Sequence, residues 1–279
     1  MSEFTAPETS GNTSLGDSQT VSAGLENAYS FADISPAEAD AINDKVNIVV
    51  YGTAHTLSDP ANTDPAYLAA VDAQYQGLAD MVEVLDPAKG DVLYMESAGH
   101  EGVWKLLDRP QDDATHARIL ESMRANRTIH PYTYATERAA LRGVPVKVAD
   151  IHRHVGEEFE FVTGESIDTV ISNVDHPLFP VLNTLREEQA ANTVAHDALN
   201  ALPAIGSEKA MYVVLHGVAH VDKLNHDTNK LTPGTPAAFQ RLGIQVMTGI
   251  IDGHIGITSQ PEQMRVNNAA AYIAPIAMR

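Results

Sequence analysis

The residues best suited to chemistry are two histidines, each behind a glycine in the same four-residue pattern: Gly52-Thr53-Ala54-His55 and Gly217-Val218-Ala219-His220. Each pattern follows an apolar run, 46–51 and 211–215, that reads as a buried strand. A glycine there permits a tight turn or a close backbone approach. The imidazole then lands at the strand's carboxyl end, the edge where ligands collect in open α/β sheets. Glu96 closes another strand-like run, Leu93-Tyr94-Met95-Glu96, in the same way. Two histidines and a carboxylate can hold a divalent cation while leaving a position for water. Without a metal, the same trio forms a general base oriented by a carboxylate. His55, Glu96 and His220 are therefore the candidate centre, both as catalytic groups and as ligands for Mn, Zn or Co. Their tips are expected to converge within about 10 Å, given ligand bonds of roughly 2 Å plus the size of an imidazole.

Supporting groups occupy comparable positions. Asp150 ends a third strand-like run, 146–149, with Arg153 and His154 just beyond it. Glu137 lies on the helix before that strand, where a solvated face is as good a reading as a site role. Arg186-Glu187-Glu188 opens the polar face of a long helix. Such a charge run is ordinarily surface, but an Arg beside a His/Glu site binds an anion or stabilises a developing oxyanion. His216, four residues before His220, is a secondary candidate because this segment passes from strand into turn. The chain contains no G-x-S-x-G elbow, P-loop, G-x-G-x-x-G or H-E-x-x-H. Serine hydrolases of the α/β type, P-loop NTPases, dinucleotide enzymes and zincins are disfavoured accordingly.

The elements that must position these residues alternate along the chain. Ser35-Pro36-Ala37-Glu38 reads as a capping box opening a short helix to about residue 43. Apolar residues at Leu68, Val71, Tyr75, Leu78, Val82 and Leu85 have helical spacing, ended by Pro87 and Gly90. Helices are expected near 115–126, 132–142 and 178–202, and a last strand near 244–249. The stretch 155–175 is ambiguous. Residues 97–115 are irregular, contain Trp104 and are expected to form a loop over the site. Strands separated by helical patterns imply βαβ units: an α/β fold with a mainly parallel sheet flanked by helices, its site at the C-terminal strand edge. Residues 1–34, rich in Ser, Thr, Gly and Asn and without Lys or Arg, read as a mobile tail preceding a single domain over 35–279.

Composition narrows the partners. With 37 acidic against 18 basic residues the formal charge is −19, which repels nucleic-acid backbones and anionic lipid surfaces. The absence of cysteine removes disulfides, thiolate metal sites and cysteine nucleophiles. No apolar stretch approaches the roughly 18 residues of a membrane span, so no integral membrane segment is expected. The start, Met1-Ser2-Glu3, lacks a basic and then apolar leader. A cytoplasmic protein, or one exported without a classical signal peptide, is the expectation.

Taken in order, these motifs resemble the superfamily that joins the TraB/PrgY and Tiki proteins, the ChaN-like haem-binding lipoproteins and the erythromycin esterases. The resemblance spans roughly residues 46–250 and rests on Tyr51-Gly52-Thr53-Ala54-His55, Tyr94-Met95-Glu96, the unit from Thr136-Glu137-Arg138 to Val148-Ala149-Asp150, Arg186-Glu187-Glu188-Gln189, and His216-Gly217-Val218-Ala219-His220. It implies an α/β fold with a hydrolase-like or metal-dependent site at the strand ends. The chain departs from the family's membrane-anchored and lipoprotein members in lacking a membrane segment and a lipobox cysteine. The expected activity is a metal-assisted hydrolase acting on an ester or amide/peptide bond of a small molecule or peptide, with His55, Glu96 and His220 at its centre and Arg186, Glu137 and Asp150 in support. The alternatives are a non-catalytic haem- or ligand-binding protein and a secreted effector or toxin domain. Oligomeric state is open.

Overall fold

A computed structural model of the chain describes residues 33–53, 62–96, 112–173, 175–217, 220–221, 223–225, 230–232 and 234–251. The anticipated tail (apart from residues 33–34), His55 and Trp104 with most of its loop lie outside the described residues. The first helix, α1 (Pro36–Lys45), opens with the expected capping box: Ser35 Oγ accepts from the Glu38 amide, and Glu38 accepts from the Ser35 amide. It leads directly into strand β1 (Val46–Thr53). Helix α2 (Pro65–Glu83), capped by Asp64, returns the chain to β2 (Val92–Met95). Helices α3 (Asp113–Ala125) and α4 (Pro131–Leu141) precede β3 (Val146–Val148). The ambiguous stretch resolves into two helices, α5 (Arg153–Thr163) and α6 (Ile167–Ile171), followed by the long α7 (Phe179–Ala201). Then come β4 (Ala210–Gly217), the short antiparallel pair β5 (Lys223–Asn225) and β6 (Lys230–Thr232), helix α8 (Thr235–Arg241) and β7 (Val246–Ile251).

Five strands make one parallel sheet in the order β3-β2-β4-β1-β7. This is the α/β architecture anticipated from the alternation of apolar runs and helical patterns. A parallel sheet is covered on both faces, which is why β1 and β4 are apolar almost throughout. Alternation sorts their side chains between two cores. Val49, Tyr51, Leu93, Val213 and Leu215 pack with Tyr75, Leu78, Val82 and Ala135 from α2 and α4. Ile48, Val50, Tyr94, Tyr212 and Val214 face Ala191, Val194, Ala195 and Ala198 of α7, together with Ile42 and Phe239. The described residues form two compact units, 152–182 and the remainder. In the smaller, Val155, Phe159 and Val170 are buried, whereas Phe161 is 84% exposed.

Strand β4 extends to Gly217, past the anticipated end at 215. Gly52 and Gly217 therefore both lie in extended backbone, and the described glycines with left-handed φ are Gly90, Gly143, Gly164 and Gly243. At the opposite edge of the sheet, buried Asp91 sets the starts of β2 and β4: its carboxylate accepts from the amides of Met211 and Asp86, both at 2.8 Å. Replacing it with Ala strands buried donors, at about 1–3 kcal/mol. Urea unfolding of Asp91→Ala is expected to show a loss of about 2 kcal/mol with an unchanged m-value; wild-type stability would show that the carboxylate does not hold these strands.

Candidate functional site

Parallel register delivers three strand ends to one place. Met95 pairs with both Val148 and Leu215, so Glu96, Ala149-Asp150 and His216-Gly217 emerge side by side. Backbone hydrogen bonds continue beyond the strands: the Glu96 amide donates to Leu215 at 3.3 Å and the Ala149 amide to Met95 at 2.9 Å. The Gly217 amide donates to Glu96 Oε2 at 2.9 Å. This glycine thus serves the site through its amide, within a strand, and not through a left-handed turn.

Helix α7 places Arg186 over these ends. Its Nε and Nη2 both donate to Asp150, each at 2.8 Å, in a two-pronged arrangement that a guanidinium's planar fork supplies. Nη2 also donates to Glu96 Oε1. Arg186, Asp150 and Glu96 are all buried. Burial disfavours the charged guanidinium, but the hydrogen bonds and charges of Asp150 and Glu96 outweigh it and raise the Arg186 pKa above its ordinary value.

His220 lies beside this cluster, likewise buried. Its Nδ1 is 3.1 Å from Glu187 Oε1, and its Nε2 is 3.3 Å from Glu96 Oε1 and 3.5 Å from Arg186 Nη1. A carboxylate only accepts, so Nδ1 carries a proton and donates to Glu187. Nε2 then faces two alternatives: as a lone pair it accepts from Arg186, and once protonated it donates to Glu96. Burial opposes the second state, yet Glu187 and Glu96 favour it more strongly, and the His220 pKa is raised. The neighbouring His216 behaves oppositely. Its Nε2 donates to the Ala149 carbonyl at 2.9 Å, so its Nδ1 accepts from the Thr235 hydroxyl, also at 2.9 Å. Burial, aided by the charge of His220, lowers its pKa despite Glu96 and Asp150, and the ring is neutral.

Of the sequence candidates, Glu96, Asp150, Arg186 and His220 come together. Glu137 is buried and pairs with His116, Nε2 to Oε2 at 3.2 Å, rather than lying on a solvated face. His55 and the side chains of Arg153 and His154 are outside the described residues. Two contributors were not anticipated from the sequence. Glu187 is buried on the inner face of α7, while Glu188 points outward to Arg241. Tyr132, fully buried on α4, has its hydroxyl pKa raised first by burial and then by the charge of Glu96. The spacing of α7 carries a signal for Glu187: it stands three and four residues before Ala190 and Ala191, at the head of the stripe of buried small residues.

The donor set can be tested against a metal. Among the described residues, no group of three or more His, Asp or Glu side chains is placed to hold one. Glu96 Oε1 and His220 Nε2 lie 3.3 Å apart and pair when the ring is protonated, and Arg186 occupies the cationic position between Glu96 and Asp150. The described residues alone therefore do not complete a metal site; His55, the third ligand expected from the sequence, lies outside them. Among them, too, no helix is long and apolar enough to cross a membrane. No protein-family model, no characterised protein and no solved structure matches this chain.

Histidine NMR gives the direct check on the electrostatics. His220 is expected to titrate above the ordinary histidine value near 6.5 and His216 below it. For His220 the sign follows from linkage: its contribution to stability is complete below the unfolded pKa and is lost as pH rises through the higher folded value. Glu187→Gln should lower the His220 pKa; an unmoved titration would show that Glu187 does not hold the imidazolium.

Proposed function

We propose that the chain is a hydrolase that cleaves an ester or amide/peptide bond in a small molecule or peptide, with His220 as the proton-transfer group. The observation that supports this most strongly is His220 Nε2 poised between a donor, Arg186 Nη1, and an acceptor, Glu96 Oε1, while Glu187 fixes the other ring nitrogen. A base held by an orienting carboxylate beside a cationic donor is an arrangement that suits acyl hydrolysis.

In the neutral state Nε2 takes a proton from a water molecule as the oxygen attacks the acyl carbon. The imidazolium that forms donates to Glu96 from Nε2, while Nδ1 keeps its own proton and goes on donating it to Glu187. This switch frees the Nη1 hydrogens of Arg186, because a protonated Nε2 no longer accepts from them. Arg186 can then donate to the oxyanion as charge develops there. Collapse of the tetrahedral species expels the alkoxide or amine, which takes the proton back from Nε2. Burial of Arg186, Glu96 and His220 strengthens each of these interactions relative to water. His55 enters this reading from the sequence pattern alone, as a second imidazole for the attacking water. The same ordered motifs underlie the resemblance to the Tiki and erythromycin esterase superfamily, and the reading is consistent with that resemblance.

A panel of p-nitrophenyl esters and fluorogenic peptides tests the proposal. Turnover that survives exhaustive chelation would support His220 as the base without a metal. Glu96→Gln and Arg186→Met should each lower kcat by about 10²-fold or more, and His55→Ala should also lower it. Activity that appears only on adding Mn, Zn or Co would replace this mechanism by a metal-assisted one. A Soret band on haem titration, with no hydrolysis of any panel member, would overturn the hydrolase reading in favour of a binding protein.

A further inference from the structure

The start of α8 touches both histidines of the cluster through two residues that the motif pattern does not include. Thr235 is fully buried, and its hydroxyl donates to His216 Nδ1 at 2.9 Å. Gly234, directly before it, lies against the backbone of His220: a Cβ at this position would stand 2.4 Å from the His220 carbonyl oxygen and 3.2 Å from its carbon. The Gly234 backbone is extended, with φ −126° and ψ −170°. Any residue adopts that conformation. The glycine is therefore required by space, not by backbone angle. Both contacts serve the reacting groups indirectly.

His216 passes the effect of Thr235 onward. With Nδ1 held as an acceptor, its Nε2 hydrogen is committed to the Ala149 carbonyl. Ala149 precedes Asp150, the carboxylate on which the Arg186 fork rests. In the strand order β2 lies between β3 and β4, so His216 at the end of β4 reaches across the end of β2 to tie down the chain beyond β3. His216 also stacks edge-on against His220, with ring centroids 5.6 Å apart. A two-residue brace thus acts on the site from both sides: Gly234 seats the His220 backbone, and Thr235 sets the tautomer and rotation of His216, which holds Asp150 and through it Arg186.

We infer that Gly234 and Thr235 are positioning residues of this centre, acting on His220 and Arg186 without being catalytic residues. The inference rests on the hydrolase reading for its kinetic consequence, but not for its structural one. Residues acting at one remove from the chemistry typically change rates by about 10–100-fold.

The test uses the full-length protein with three variants and two readouts. Thr235→Val keeps the shape and removes the hydroxyl; Thr235→Ser restores the hydroxyl; Gly234→Ala adds the obstructing Cβ. In long-range nitrogen–proton spectra, wild type and Thr235→Ser are expected to show His216 as the Nε2–H tautomer with one narrow set of ring signals. Thr235→Val should show exchange-broadened or mixed tautomers, and Gly234→Ala should displace the His220 ring signals. In kinetics, Thr235→Val and Gly234→Ala should lower kcat by about tenfold or more with KM little changed, and Thr235→Ser should recover to within about twofold of wild type. Unaltered ring signals in both Thr235→Val and Gly234→Ala would overturn the inference whatever the activity. Altered ring signals with wild-type kcat would overturn the positioning role while leaving the contacts intact. If wild type hydrolyses nothing in the panel, the hydrolase reading fails and the spectra alone decide the brace. A Thr235→Val protein that does not fold leaves the Gly234→Ala spectrum to decide, and wild-type His220 signals there refute the inference.

Discussion

A buried guanidinium among buried carboxylates persists only when each charge is compensated, because moving either kind of ion from water costs several kcal/mol after relaxation. Arg186 meets that condition at the carboxyl edge of the sheet. It grips Asp150 with two nitrogens, shares Glu96 and faces His220. Asp150 follows β3, Glu96 follows β2 and His220 follows β4, so one side chain binds the outcome of three separate strands. Remove the guanidinium and the register that brings these strand ends together also brings uncompensated negative charges together. The parallel sheet therefore supplies the convergence, and Arg186 makes it tolerable.

The proposed chemistry would draw on the same balance. Arg186 with protonated His220 carries two positive charges, against Glu96, Asp150 and Glu187. The position of one proton, on or off His220 Nε2, decides whether the ring accepts from Arg186 or donates to Glu96. Small rearrangements can switch those hydrogen bonds because both partners are within 3.5 Å. His216, four residues earlier on the same strand-to-turn segment, is kept out of this exchange: a carbonyl and a hydroxyl saturate its ring, and burial keeps it neutral. Two adjacent imidazoles thus take different jobs because one meets carboxylates and the other meets neutral groups.

Much of this organisation is legible in the residues before any coordinates. Apolar runs ending in Glu96, Asp150 and the second glycine–histidine pattern read as parallel strands, and parallel strands share a carboxyl edge. That reasoning brings Glu96, Asp150 and His220 together without knowledge of the packing. Helix faces are harder. Arg186-Glu187-Glu188 reads ordinarily as a surface run, with Arg186 alone offered as a site residue, and only docking of the alanine stripe on α7 shows that Arg186 and Glu187 turn inward and Glu188 stays outside. The setting of Glu137 is hidden for the complementary reason. Its partner His116 comes from another helix, and no spacing rule links the two. The roles of Thr235 and Gly234 are invisible in sequence because they depend on how a helix start meets a strand end across an intervening antiparallel pair.

The central claim, that Arg186 holds the site together by balancing charge, is tested most directly by urea unfolding of two variants at neutral pH. Arg186→Met removes the cation and leaves its carboxylates buried, with an expected loss of about 3–5 kcal/mol. The triple variant Arg186→Met, Glu96→Gln, Asp150→Asn removes the cation together with the charges it compensates, and should recover most of that loss. A triple variant as unstable as the single one, or less stable still, would contradict the account, because shape and hydrogen bonding rather than charge balance would then be what Arg186 provides.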